Sequence, residues 1–268
     1  MTPPDGSNGL PGTAPAPARE AVQRWRLVLA RDAILPDAQR EQVTAWEAAL
    51  TGSGLPVAGL DAVKPRARFA VAAPLAAPIP GERELIDVWL VERVPAWRIR
   101  EALLACVPPA WHLVEVHDVW LGEPALPGRV EASVYRASLA PGSVSVAGLA
   151  AAGRDLLEAS ELPRERPKGE TIVAYDLRPF LDDLVVDESP DGVVVVRMTL
   201  RHDPEKGIGR PEEALAALGE RVGSVLEPVA LVRERIVVGD PPPQPPASPR
   251  RRTARPAPGH GTGRALTA

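Results

Sequence analysis

The chain has 268 residues and a net charge of −4, with 45% hydrophobic but only 4% aromatic residues, so Leu, Val and Ala must fill most of the core of one large or two small domains. Its single cysteine, Cys106, excludes a disulfide framework and any cysteine-based zinc or iron–sulfur site within the chain. No run of about 18 apolar residues is present to span a membrane.

Met1 to Gln23 is rich in Pro, Gly and Ala and reads as a disordered tail. It lacks the basic start and apolar middle of a secretory signal, and with the lone cysteine this makes the cytoplasm the expected location. Residues 241–268 begin with a polyproline stretch and read as a second tail. That tail holds Arg250, Arg251, Arg252, Arg255 and Arg264 and no acid, for +5, while the first 23 residues carry −1, so −8 falls on the body. An acidic body is a poor general trap for phosphate backbones.

The body reads as two passes through one pattern, 24–125 and 126–240. Trp25 to Arg31 is a strand. Pro36 opens a helix, where its missing N–H costs nothing, with Val43, Trp46 and Leu50 on one face and Gly52 and Gly54 at its end. Arg68 to Ala73 is a short strand. Leu85 to Glu92 is another, apolar apart from Asp87 and so expected to be buried on both faces. Pro95 opens a helix carrying Ile99, Leu103 and Cys106 on one face, and Pro108 and Pro109 stop it. Trp111 to Leu121 closes the first pass as a strand with Val114, Val116 and Trp120 on one face.

In the second pass Val130 to Leu139 is a strand, and Val146 to Ala159 is a helix carrying Leu149, Leu156 and Leu157. Thr171 to Asp176 and Leu184 to Glu188 are strands around a short turn. Ser189-Pro190-Asp191-Gly192 is a hairpin turn leading into Val193 to Leu200. Pro211 opens a helix with Glu212 and Glu213 at its positive end and Leu215, Leu218 and Val222 along its stripe. Val229 to Val238 is the last strand. The first pass reads βαββαβ and the second is similar with one strand more, so the expected fold is α+β, built of tandem ferredoxin-like (βαββαβ) halves between disordered tails.

Few residues suggest chemistry. His112 and His117, five apart on one strand, are expected on opposite faces, and His202 and His260 stand alone in a loop and a tail, so no metal site is expected. Cys106 on an apolar helix face reads as an inert thiol. Lys206-Gly207-Ile208-Gly209-Arg210 before a helix either cradles an anion or is a flexible connection. Lys64, Arg66 and Arg68 alternate along an extended segment, which would align their charges on one face. They form either a basic binding patch or an edge blunted by charge.

The stretch from Trp46 to Leu90 resembles the domain of unknown function associated with radical SAM proteins. The resemblance rests on Gly54-Leu55-Pro56, Pro65, Arg68, Ala73-Pro74-Leu75, Glu82, Glu84 and Asp87-Val88, then on Gly209-Arg210-Pro211 and Leu215 in the second half. The chain departs from that family at two motifs. Ala38-Gln39-Arg40-Glu41 stands where the family carries Ser-His-Leu-Asp, and Lys64-Pro65-Arg66-Ala67 where it carries Asn-Pro-His-Pro. A proton-handling or substrate role for those two histidines is therefore lost here.

The resemblance implies RNA-related work, and duplicated ferredoxin-like folds include CRISPR repeat-processing RNA endonucleases. It also implies a radical SAM protein as partner, with the iron–sulfur cluster and S-adenosylmethionine held by that partner and no cofactor in this chain. By family correspondence Gln39 and Glu41 join Lys64, Arg66 and Arg68 as substrate-binding candidates. The leading expectation is a non-catalytic accessory protein that binds or presents RNA. The alternatives are a stand-alone RNA-processing or RNA-modifying enzyme and a protein-interaction module without RNA.

Overall fold

The computed structural model describes residues 19–142, 144–169 and 171–240; the expected tails up to residue 18 and from residue 241, with His260, lie outside the described residues. Eleven strands and four α-helices occur among the described residues, and the fold is α+β. The strands are β1 (Gln23–Arg31), β2 (Phe69–Val71), β3 (Gly81–Leu90), β4 (Trp111–Val119), β5 (Val130–Leu139), β6 (Pro163–Lys168), β7 (Thr171–Asp176), β8 (Leu181–Glu188), β9 (Val194–Asp203), β10 (Gly207–Ile208) and β11 (Ala230–Val238). The helices are α1 (Gln42–Gly52), α2 (Ala96–Cys106), α3 (Val146–Glu158) and α4 (Pro211–Val222). Gln23, placed in the tail by composition, opens β1.

One nine-stranded, mostly antiparallel sheet runs β10-β9-β5-β11-β3-β1-β4, with β2 added on β3 and β8 on β9. Neighbours in the first half follow the order β4-β1-β3-β2, and neighbours in the second follow β11-β5-β9-β8. The halves meet where β11 touches β3, in parallel and through one register pair, Arg233 with Gly81. β6 and β7 form a separate two-stranded ribbon.

Alternation in the strands sorts side chains to two faces. Leu27 and Leu29 of β1 and Ile86, Val88 and Leu90 of β3 meet Trp46 and Leu50 of α1 and Ile99 and Leu103 of α2 in one core. Each such buried side chain contributes about 1.5–3 kcal/mol. The second core joins Leu149 and Leu156 of α3 and Leu215 and Leu218 of α4 to β5 and β9. On the opposite face of β3, Asp87 is fully buried and takes hydrogen bonds from Arg24 and Arg26. The expectation that this strand is covered on both faces holds, and its one acid is neutralised in place.

Several local expectations are corrected. Val43 is exposed, because residues 37–41 form a 3-10 turn and Val43 sits on the first turn of α1, at an open cleft. β2 is shorter than expected and excludes Arg68. A bulge in β4 opposite Val28 and Leu29 makes Val114 the extra residue, so Leu113 and Val116 pack on the core while Val114 is exposed; Trp120, past the end of β4, is exposed as well. The same bulge cancels the expected parity of the histidines. His112 pairs with Ala30 and His117 with Arg26, four apart on β1, so both lie on one face. Four register steps of about 3.3 Å still separate them. Thr171–Asp176 pairs with the unforeseen β6 rather than with the main sheet. The Ser189–Gly192 turn is present, with Gly192 at φ +77°.

Candidate functional site

The basic segment is held by its backbone. Arg66 N–H donates to Gly59 O at 3.1 Å, Arg68 N–H to Ala58 O at 2.8 Å, and Trp89 N–H to Arg68 O at 3.1 Å. Gly59, at φ +88°, lies so close that a Cβ there would meet Arg66 O at 2.3 Å, so the turn admits only glycine. Ala67 is buried between the exposed Arg66 and Arg68, and Lys64 is exposed as well. The two arginines nevertheless diverge, because regular strand geometry begins only at Phe69. Arg66 Nε lies 3.6 Å from Glu47 Oε1 on α1. The Arg68 guanidinium lies 4.8 Å from the ring centroid of Trp89, which belongs to a cluster on the sheet face opposite α1.

Of the other candidates, Gln39 falls in the 3-10 turn before α1, and Glu41 is exposed at the N-cap position with no capping bond. The α1 carboxylate that meets the basic segment is Glu47, six residues and about 9 Å further along the helix. Nothing in the spacing singled it out. Arg68 also borders an open hollow of about 490 Å³ with Arg19, Glu20, Ala58, Gly59, Trp89 and Leu121. Arg19 is paired there with Glu92 at 3.0 Å. No carboxylate pairs with Arg68 among the described residues, and Lys64 makes no ion pair there either.

A second region lies under the start of α1. Trp46, Trp111, Gln42, Val43, Val71 and Arg31 line a cleft of about 180 Å³, whose wall also includes Glu84. The two indoles meet edge to face at 5.4 Å, and Trp111 Nε1–H donates to Gln42 Oε1 at 2.6 Å. Below the cleft a polar chain crosses between the halves. Arg233 donates to both oxygens of Glu84 and to Ala73 O, and all three groups are buried. Arg31 donates to Leu75 O at 2.9 Å and Ile79 O at 2.6 Å, and its guanidinium pKa is lowered by burial.

His202 is on β9, not in a loop, and its Nε2 lies 2.9 Å from Ser133 Oγ. Burial, then the nearby Arg233 charge, pulls its pKa down to about 4, so the imidazole is neutral at pH 7. Ser133 is fully buried and His202 half-buried, so the serine hydroxyl is closed to a substrate. Lys206 to Arg210 does not form an anion loop. Gly207–Ile208 is the edge strand β10, Gly209 N–H bonds to Arg201 O, and Glu212 and Glu213 open α4. Cys106 is half-buried against the first core, and burial raises its thiol pKa. Among the described residues no three His, Cys, Asp or Glu side chains gather as a metal-ligand set, and no helix is long and apolar enough to cross a membrane.

Residues 38–211, more than half of the chain, match a family described as "Uncharacterized protein conserved in bacteria (DUF2344)". No curated protein matches the sequence. Among solved structures the chain is similar to one in a Cbf5-Nop10-Gar1 complex, at 10% identity and TM-score 0.41 over 78% of this chain and 49% of that one. It is also similar to one in the archaeal box H/ACA sRNP Nop10-Cbf5 complex, at 12% identity and TM-score 0.37 over 80% and 48%. A Cas6 product complex follows at 13% identity and TM-score 0.23, over 79% and 99%. The chain thus spans about half the length of the first two. At these scores the likeness carries no functional argument.

Proposed function

The chain belongs to this bacterial family of uncharacterized conserved proteins, and on that premise we propose that it is a non-catalytic accessory protein that binds RNA along the edge from Lys64 to Arg68. The observation that carries the reading is Arg68. It is an exposed guanidinium over the Trp89 ring, without a carboxylate partner among the described residues, on a body whose net charge is negative. A guanidinium outside any ion pair and held against an indole is suited to a phosphate or a stacked base. Arg66 and Lys64 add exposed charge on the same connection, and the weak 3.6 Å contact to Glu47 leaves Arg66 available.

A radical SAM protein as partner, supplying the iron–sulfur cluster and S-adenosylmethionine, is implied by the sequence resemblance, and the family description names no partner. The two halves are read as copies of one ferredoxin-like unit. The support is that β4-β1-β3-β2 and β11-β5-β9-β8 repeat one strand order.

The test is RNA affinity at low salt, for the protein and for Arg66→Glu with Arg68→Glu. Reversing two contacts predicts a loss of about tenfold or more and a shallower salt dependence. Equal affinities would remove the edge from consideration. One observation favours protein docking without RNA: Trp97 and Leu104 are both exposed and seven residues apart, on one stripe of α2. On that reading, capture of a partner is indifferent to nuclease and to the arginine exchanges.

A further inference from the structure

We infer that the cleft under the start of α1 is a binding site for a small organic monocarboxylate with a flat apolar body. The site is distinct from the RNA-binding edge, and the reason for it is an unbalanced charge. Arg31 and Arg233 are both buried, and the one acid placed between them, Glu84, gives both oxygens to Arg233. Among the described residues Arg31 has no carboxylate within ion-pair distance. Its two Nη atoms are committed to the carbonyls of Leu75, Ala76 and Ile79. The three side chains therefore leave one positive charge beneath the cleft, in surroundings that screen it poorly.

Hydrogen bonding points the same way. Arg31 Nε and Trp46 Nε1 are buried without a partner. Both groups are donors only. Both residues line the cleft, whose acceptor side chains are already committed: Gln42 uses Oε1 for Trp111 and Nε2 for Ala38 O, and Glu84 gives both oxygens to Arg233. What the site lacks is acceptors and one negative charge.

The walls select the rest of the ligand. Trp46 and Trp111 set their rings at 76° to each other, and Val43 and Val71 complete an apolar surround. Such walls suit a planar or branched hydrocarbon body. A phosphate fits poorly, because it asks for several convergent donors and the Arg31 fork is already spent.

The experiment is calorimetric titration of the full chain with phenylacetate, its uncharged counterpart phenylacetamide, and inorganic phosphate. Phenylacetate is expected to bind about tenfold or more tightly than phenylacetamide, with phosphate inert. Val43 is 56% exposed at the cleft mouth, so Val43→Trp fills the opening without disturbing the core. That variant is expected to keep the melting temperature and lose phenylacetate binding. Equal binding of acid and amide, no binding of the acid, or unchanged binding to Val43→Trp would each overturn the assignment.

Discussion

Asp87 shows how a charged residue is kept in an apolar strand. Arg24 and Arg26 both donate to its carboxylate, and Arg24 also lies 4.7 Å from the Trp89 centroid. The sequence marks Asp87 as the odd residue in Leu85 to Glu92, but its partners lie more than 60 positions away on β1 and could not be read locally. His202 carries a testable consequence. Its pKa in the folded protein is about 4, against an ordinary 6.5. Between those values the unfolded chain binds more protons, so stability falls as pH drops from about 6.5 towards 4. The groups facing it are Ser133 and the Arg233 charge. His202→Phe is expected to flatten that part of a stability–pH curve by roughly 1–2 kcal/mol, after allowing for the ring's partial exposure. Urea unfolding at pH 7 and pH 4.5 measures it, and an unchanged slope would refute the assignment.

The helices were the most legible elements, because a 3.6-residue stripe runs through them and proline starts α2 and α4. Pro211 opens α4, and Leu215 and Leu218 are buried as their spacing requires. The end of α4 carries a constraint the stripe does not reveal. Gly223 turns left-handed at φ +67°, and the chain folds back so that a Cβ on Gly219 would meet Ser224 O at 2.5 Å. Gly219→Ala should therefore destabilise by about 1–3 kcal/mol, although alanine is the better helix former by about 1 kcal/mol. A rise in the thermal midpoint would show that the return can relax. Strands were less legible. β4 carries a bulge that reverses the face of every residue beyond it, and a single extra residue leaves no mark in the hydrophobic pattern.

Across the whole molecule, a buried ion pair lies at the seam where β11 meets β3. β11 and β3 share one register pair, and the buried pair of Arg233 with Glu84 sits beside it. Arg233 also donates to Ala73 O and Pro74 O of the first half. Removing one partner of a buried pair strands the other charge. Glu84→Gln should cost about 3–5 kcal/mol and lower the denaturant midpoint of the entire chain in one transition. Two separate transitions in the parent protein would mean that the halves fold independently and that the seam couples nothing.

Read alone, the sequence determined the α+β class, the approximate place of most strands and helices, and the basic run from Lys64 to Arg68. These follow from local periodicity, proline and glycine placement and composition, which act over a few residues. Tertiary structure decided which faces those residues meet. It set Arg66 against Glu47 on one side of the sheet and Arg68 over Trp89 on the other. It brought Arg31, Trp46, Trp111 and Glu84, spread over 80 positions, to one cleft. The physical reason is that pairing register, bulges and the compensation of buried charge depend on partners far apart in the chain. No local pattern encodes which distant carboxylate a guanidinium will reach.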